Sequence, residues 1–444
     1  MSAIKAGLIG YPLGHSMSPY IHERIMEASG IFGKYELYEI SPEELPKYAP
    51  ILMRELTGFN ITIPHKVAIL PFLDDVALMV KEYGAANTVC GRIGYNTDVD
   101  GFLSCGVPMK DKKVLLLGAG GVARMMAIEA LKAGADLSIW ARSAEKALVL
   151  IDECKQKGYE KVAPAEGMPS GSAFDTILNG TPCGMWPKVH DMIPDAGVLA
   201  DGGTFFDTIY NPCPTKTCMQ FRAEGKNAIS GLKMLLNQAI AAEKIWAPDA
   251  HFDDGRLSEI LPDVRKKLWE KNPMKLIFTG FMGAGKTTIG RMTADMLKIP
   301  FIDLDDKIVE VAGCPIREIF EKDGEETFRR MEHEILKREL EHPGSAVISL
   351  GGGVLTNEKN EALLKESKSM LMYLKAKPEV IWERVKNDRS RPLLDAKDAD
   401  TAYKNMAARL ASREPTYERA ADVVLDANEN TDVIFANVTK LFET

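Results

Sequence analysis

The feature that most constrains this chain is a strand, a glycine-rich turn and a helix start, "KLIFTGFMGAGKTT" at 275–288, almost two thirds of the way along 444 residues. Gly280-Phe-Met-Gly-Ala-Gly285-Lys286-Thr287 fits GxxxxGK[ST] at every fixed position, after an apolar strand and before a helical pattern running to Leu297. In that context the backbone N–H groups and the helix N-terminus surround phosphate oxygens. The lysine reaches the outer phosphates and the hydroxyl ligates Mg²⁺. Gly283, Gly285, Lys286, Thr287 and Thr288 are therefore the expected binding residues for ATP with Mg²⁺.

What precedes this unit is long enough to fold as one or two further domains. A second strand-turn-helix unit, "KKVLLLGAGGVARMMAIEALKAGADLSIWARS", carries Gly118, Gly120, Gly121 and Ala123 at GxGxxA spacing, with another strand at 136–140. Such a turn binds the pyrophosphate of a dinucleotide, and the residue ending the second strand reads the ribose. No carboxylate stands there; Arg142, Ser143 and Lys146 do. Cations suit a 2′-phosphate, so NADP is expected over NAD.

Short apolar strands alternate with helical patterns over the first 100 residues, which implies an open α/β sheet. Residues 229–246 have apolar spacing for a long helix closing the front half. Between the halves, "APDAHFDDGRLSEILPDVRKKLWEKNP" (247–273) brackets a short helical pattern with turn residues and is the expected linker. The organisation predicted is 1–246 (lobes 1–101 plus 230–246, and 102–229), linker 247–273, and a phosphate-loop domain 274–444.

Bulk properties narrow the partners. A net charge of −8 makes the whole chain a poor polyanion binder, so nucleic acid is not expected and local cations must hold any small anionic substrate. No apolar run approaches the length that spans a bilayer, and "MSAIKAGLIG" lacks a signal-peptide pattern. Seven cysteines without metal-ligand spacing read as free thiols, and a cytoplasmic enzyme is expected. Oligomeric state is left open.

In the back half, "FIDLDDKI" sets Asp303 and Asp305 two apart at a strand end, on one face near the phosphate loop. A carboxylate there holds a metal-bound water or orients an acceptor hydroxyl. "ETFRRMEHEIL" places Arg329 and Glu332 on one helix face, where surface pairing is the simplest expectation. "VISLGGGVL" brings Gly351, Gly352 and Gly353 after a strand, allowing backbone to approach a ligand. Arg391 lies in a polar loop and Arg413 in "SREPTY".

Taken in order, Asp-x-Asp, FRRxE, GGG, RPLL and RxPxY resemble shikimate kinase across 274–444. The resemblance implies that Asp305 deprotonates the acceptor hydroxyl, that Asp303 and Thr287 lie at Mg²⁺, and that Arg329 and Arg413 clamp a carboxylate. It also implies that Gly351, Gly352 and Gly353 lie against the ring, with Arg391 closing over the phosphates alongside Lys286. Another small-metabolite kinase, such as a gluconate kinase, is the alternative.

In the front half, "YPLGHSMSPYIH" has Ser16 and Ser18 before a helix, where serines cap. "GFNITIPHKVAIL" groups Asn60, Thr62 and Lys66 around a strand end, and "GAANTV" and "GYNTDVDGF" bring Asn87 and Asp98. A lysine and an aspartate in one cleft can share a proton and serve a carbonyl being reduced. G-x-P-x-x-H-S-x-S-P, G-x-N-I-T-x-P-x-K, N-T-D, GAGGxxR, N-x-T-x-x-G-M (179–185) and a GLxMLxxQA helix resemble shikimate dehydrogenase over 1–246. The resemblance implies a two-lobed α/β dehydrogenase, a substrate lobe plus a Rossmann NADP lobe, ahead of the parallel-sheet kinase domain.

By the same resemblance Lys66 is the general acid and Asp98 its partner. Ser16, Ser18, Asn60, Thr62, Asn87, Tyr210 and Gln238 hold 3-dehydroshikimate or shikimate, and Thr181 belongs to the cofactor side. Ala141-Arg142-Ser143 departs from the family's Asn-Arg-Thr, which softens the NADP preference, and the segment from Val89 to Gly94 is short. A quinate or mixed quinate/shikimate dehydrogenase is the alternative for the front half; a non-catalytic regulatory module is the alternative for either half.

Overall fold

The computed structural model describes residues 3–14, 16–167, 173–191, 196–386 and 398–443, and contains three sheets. The first has strands β1 Ile4–Gly10, β2 Gly33–Glu39, β3 Gly58–Ile61, β4 Asp75–Val76, β5 Thr88–Cys90 and β6 Ile93–Tyr95, in the order β2-β1-β3-β5-β6-β4. β1, β2 and β3 run parallel, and β5 pairs antiparallel with both β3 and β6.

The second sheet is parallel throughout: β7 Lys113–Leu117, β8 Asp136–Trp140, β9 Val162–Pro164, β10 Phe174–Asn179, β11 Leu199–Asp207 and β12 Asn227–Ile229. Its order, β12-β11-β10-β7-β8-β9, reverses between β7 and β10, the switch point at which open α/β sheets hold dinucleotides. Val114, Leu115, Leu116 and Leu117 are all 0% exposed, as expected for a strand covered on both faces.

The third sheet, also parallel, has β13 Lys275–Thr279, β14 Phe301–Asp303, β15 Ala346–Ser349, β16 Ser369–Lys375 and β17 Val423–Asp426. Its order is β14-β15-β13-β16-β17, so the phosphate loop leaves a central strand. The two-lobed α/β unit followed by a parallel-sheet phosphate-loop unit is the fold expected from sequence.

The segment expected as a linker is two helices, Asp254–Ser258 and Ile260–Lys271. Leu257, Ile260, Val264 and Leu268 are buried at helical spacing. They join one apolar core that runs from Ile21, Ile25 and Leu232 of the front unit to Leu276 and Phe278 of the back unit. The helix Lys216–Ala223 also meets β17. Lys216, only 1% exposed, pairs there with Asp422 at 2.8 Å, and Arg222 Nη1 donates to the Leu441 carbonyl at 2.7 Å. All seven cysteines are free, and among the described residues no helix is long and apolar enough to cross a membrane.

Candidate active sites

The first candidate site gathers where β3 ends. Pro64 follows the strand, and Lys66 sits in the short helix His65–Ala68. Asp98 lies in the first turn of the helix Thr97–Leu103. Lys66 Nζ donates to Asp98 Oδ2 at 2.6 Å, with the two side chains 33% and 26% exposed. Asp98 Oδ1 accepts from Asn87 Nδ2 at 2.9 Å. Each carboxylate oxygen is thus held by a different donor, which fixes the plane of the acid beside an accessible ammonium.

Gln238, expected in the substrate pocket, lies in the helix Gly231–Trp246, where its Nε2 donates to the Leu235 carbonyl at 2.9 Å. That helix crosses Thr97–Leu103 so closely that a β-carbon on Gly101 would lie 2.9 Å from Gln238 Cβ. Ser18 is the first residue of the helix Ser18–Ala28, and Ser16 Oγ accepts its N–H at 3.1 Å. Ser18 is therefore not the cap; its side chain neighbours the Tyr35 hydroxyl. Thr62 is half-buried beside β1. Asn60, expected at the substrate, is 5% exposed, and its amide is taken up by Tyr35 and Thr88 at 2.7 and 2.9 Å.

On the second sheet, Gly118 has φ +104°, and a β-carbon there would lie 3.0 Å from the Gly180 carbonyl and 3.2 Å from Thr181 Cγ2. The two loops at the switch point therefore abut. Gly120 and Gly121 face open space, and the helix Gly121–Lys132 starts without a side-chain cap, leaving backbone N–H groups for an anion. Ala123 is buried behind them. Arg142 and Lys146 are exposed at the end of β8, while the Ser143 hydroxyl caps the next helix through the Lys146 N–H. The set fits NADP: a glycine cradle for pyrophosphate and exposed cations for a 2′-phosphate.

Sequence reasoning missed Asp207, which closes β11 and is fully buried. It accepts from Asn179 Nδ2, the Ile209 N–H and the Thr215 hydroxyl at 2.9, 3.0 and 2.7 Å. Burial pushes its carboxyl up to about 6 against those hydrogen bonds. It shapes the turn leading to Tyr210, whose own hydroxyl burial raises. A carboxylate ending an apolar strand was the available signal.

The second candidate site is a cavity of about 1410 Å³ lined by the phosphate loop, Asp303, Asp305, Arg329, Glu332, the Gly351–Gly353 turn and Arg413. Gly280, Gly283 and Gly285 have φ of +143°, +75° and +97°, a conformation that favours glycine, and the helix Lys286–Leu297 starts without a side-chain cap. Thr287 Oγ1 donates to Asp303 Oδ2 at 2.7 Å, placing two hard oxygen ligands side by side, as Mg²⁺ requires. Lys286 Nζ donates to the Phe281 carbonyl at 3.1 Å, and Thr288 is exposed on the first turn.

Three consecutive glycines each face a different charged group. A β-carbon on Gly351 would lie 2.6 Å from Asp305 Oδ1, on Gly352 3.8 Å from Arg413 Nη1, and on Gly353 2.7 Å from Arg329 Nη1. Arg413 Nη1 and the Tyr417 hydroxyl both donate to the Gly352 carbonyl. Glu332, expected on the surface, is instead 1% exposed and accepts Arg329 Nη1 through both oxygens at 3.1 and 3.0 Å. Burial, then the neighbouring Asp303, raise the Asp305 carboxyl against the pull of Lys286, and burial raises Glu332 against Arg329. Arg391 lies outside the described residues.

The chain matches two families of known proteins. The shikimate kinase family model covers residues 282–443, and that of the shikimate dehydrogenase substrate binding domain covers 8–89. The shikimate dehydrogenase (NADP(+)) of Carboxydothermus hydrogenoformans is 39% identical over 253 residues, 54% of this chain and 90% of that protein. That of Shouchella clausii is 34% identical over 251 residues, 54% of this chain and 91% of the relative. The solved shikimate 5-dehydrogenase of Thermus thermophilus, in complex with NADP(H) and shikimate, superposes with a TM-score of 0.53 at 29% identity, covering 59% of this chain and 99% of that one. With two sites, two family matches and relatives covered almost end to end, the chain belongs to the shikimate dehydrogenase family and carries a shikimate kinase domain behind it.

Proposed function

We propose that the front unit reduces 3-dehydroshikimate to shikimate with NADPH and that the back unit phosphorylates the 3-hydroxyl of shikimate with ATP and Mg²⁺. The observation that carries this reading is the bench formed by Gly351, Gly352 and Gly353. One carboxylate and two guanidiniums meet over a surface with no side chains, beside a phosphate loop, and this suits a flat hydroxylated acid. The same acid is the product of the reaction catalysed by the front unit's relatives.

Bound NADPH supplies the hydride and bound ATP–Mg²⁺ the phosphoryl group. In the front unit the Lys66 ammonium gives its proton to the carbonyl oxygen as that oxygen gains charge, and Asp98 holds the ammonium in line. Ser16, Ser18, Thr62, Asn87, Tyr210 and Gln238 orient the ring and its carboxylate. Gly118, Gly120, Gly121, Ala123 and Thr181 hold the dinucleotide backbone, with Arg142, Ser143 and Lys146 at its 2′-phosphate. In the back unit Asp305 takes the hydroxyl proton, a role that a raised pKa favours. Arg329 and Arg413 grip the carboxylate, Asp303 and Thr287 hold Mg²⁺, and Lys286, with Arg391, neutralises the phosphates.

A single-pot assay tests the pairing. The full chain, given 3-dehydroshikimate, NADPH, ATP and Mg²⁺, should yield a phosphate monoester by ³¹P NMR, and omission of either NADPH or ATP should abolish it. A phosphorylated product without NADPH would reject shikimate as the shared intermediate.

A further inference from the structure

Glu243 and His22 form a buried pair that neither reaction above uses. Glu243 Oε1 lies 2.7 Å from His22 Nδ1, and both residues are 0% exposed. Their other polar atoms, His22 Nε2 and Glu243 Oε2, have no hydrogen-bond partner among the described residues. Removing a carboxyl and an imidazole from water with one mutual hydrogen bond costs free energy that an apolar pair of similar size would not. A role in packing alone therefore accounts poorly for them.

Their surroundings lead to the Lys66–Asp98 pair. The His22 ring stacks on Tyr35, with centroids 4.0 Å apart and planes 9° from parallel, and Trp246 stands 5.5 Å away. The Tyr35 hydroxyl donates to Asn60 Oδ1 at 2.7 Å, and Asn60 Nδ2 donates to Thr88 Oγ1 at 2.9 Å. Thr88 Oγ1 donates to Asn87 Oδ1 at 3.1 Å, an oxygen that also accepts the Thr97 N–H at 2.7 Å. Asn87 Nδ2 then meets Asp98 Oδ1 at 2.9 Å. An amide accepts only through oxygen and donates only through nitrogen. The Thr97 N–H fixes which end of the Asn87 amide faces Asp98, and Tyr35 and Asn60, through the Thr88 hydroxyl, hold that amide in place from its other side.

We propose that His22, Glu243 and Tyr35 are positioning residues for the dehydrogenase. The Glu243–His22 pair holds the Tyr35 ring, whose hydroxyl braces the polar chain that aims Asp98 at Lys66. This rests on reading Lys66 and Asp98 as the proton-donating pair of that reaction.

The test uses three full-length variants, Tyr35→Phe, Glu243→Gln and Lys66→Ala, in shikimate oxidation, with phosphorylation of supplied shikimate as the internal control. Tyr35→Phe keeps the ring on His22 and removes only the hydroxyl. Its kcat should fall about tenfold to a hundredfold, the scale of a small misplacement at a reacting centre. KM for NADP and the phosphorylation rate should hold. Glu243→Gln should lower kcat likewise, and the double variant should fall no further than the lower single, because both act on one chain. Should Glu243→Gln fail to fold, Tyr35→Phe decides. Wild-type kcat per folded molecule in Tyr35→Phe overturns the proposal, whatever its melting temperature. Wild-type oxidation by Lys66→Ala instead overturns the reading of the Lys66–Asp98 pair, so the two failures are told apart.

Discussion

Gly353 and Arg329 stand so close that a β-carbon on the glycine would lie 2.7 Å from Nη1 of the guanidinium. Gly353 has φ −106°, which alanine adopts without strain, so Gly353→Ala acts by displacing Arg329 and not by distorting the backbone. The expected result is a rise of about tenfold or more in the kinase KM for shikimate, equal to about 1.4 kcal/mol. KM for ATP and the dehydrogenase rate should be nearly unchanged. Steady-state kinetics of both reactions on one preparation check this.

Lys66→Ala removes the ammonium that Asp98 holds at 2.6 Å. NADP-linked oxidation of shikimate should drop by about 10²- to 10⁴-fold, the usual contribution of a positioned proton donor. Phosphorylation of supplied shikimate should continue at the wild-type rate. Loss of both activities together would argue against separate sites.

Arg413→Ala should raise the kinase KM for shikimate about tenfold to a hundredfold, in line with losing one hydrogen-bonded charged contact. Arg413→Lys should recover only part of this, since a point ammonium does not reproduce a planar fork. An equal rise in KM for ATP would reject the role of carboxylate clamp.

The pH dependence of phosphorylation follows from Asp305, whose carboxyl burial and Asp303 hold above the ordinary value. The ionised form accepts the hydroxyl proton, so activity is present above that raised pKa and is lost as pH falls through it. The acid limb of kcat/KM for shikimate should therefore lie above the usual carboxylate range. A profile of kcat/KM against pH reads the limb, and one inside the ordinary carboxylate range would reject Asp305 as the base.

At the seam, Asp422→Ala leaves Lys216 almost without exposure and without its carboxylate. A loss of about 3 kcal/mol of stability is expected, in the range for breaking one side of a buried ion pair. Lys216→Met should cost less, because it removes the buried ammonium and leaves an Asp422 that is 20% exposed and still accepts the Leu371 N–H. Chemical denaturation of the two variants checks the order.

Local signals made both phosphate-binding turns legible in the sequence, because glycine spacing and the flanking strand and helix lie within one short window. The Lys66–Asp98 contact spans 32 residues and depends on β3, β5 and β6 pairing, which no local pattern specifies. Glu332 looked like one half of a surface i,i+3 pair, since spacing shows which residues share a face but not what covers it. Residues 247–273 read as a connector because Pro248, Asp253-Asp254-Gly255 and Pro262 punctuate them. Pro262 in fact falls in the first turn of the helix Ile260–Lys271, where its missing N–H removes no helical hydrogen bond. The stripe of Leu257, Ile260, Val264 and Leu268 carried more weight than the punctuation.

The shared apolar core has a consequence for how such a chain can change over generations. Leu232 and Leu276 lie in the same cluster, and the helix Lys216–Ala223 meets β17 directly. A drift in side-chain volume on one side must be answered on the other. Transplanting a free-standing relative of either enzyme into this chain should therefore require grafting its facing helix as well, and the two genes' worth of sequence should be inherited as one adapted piece.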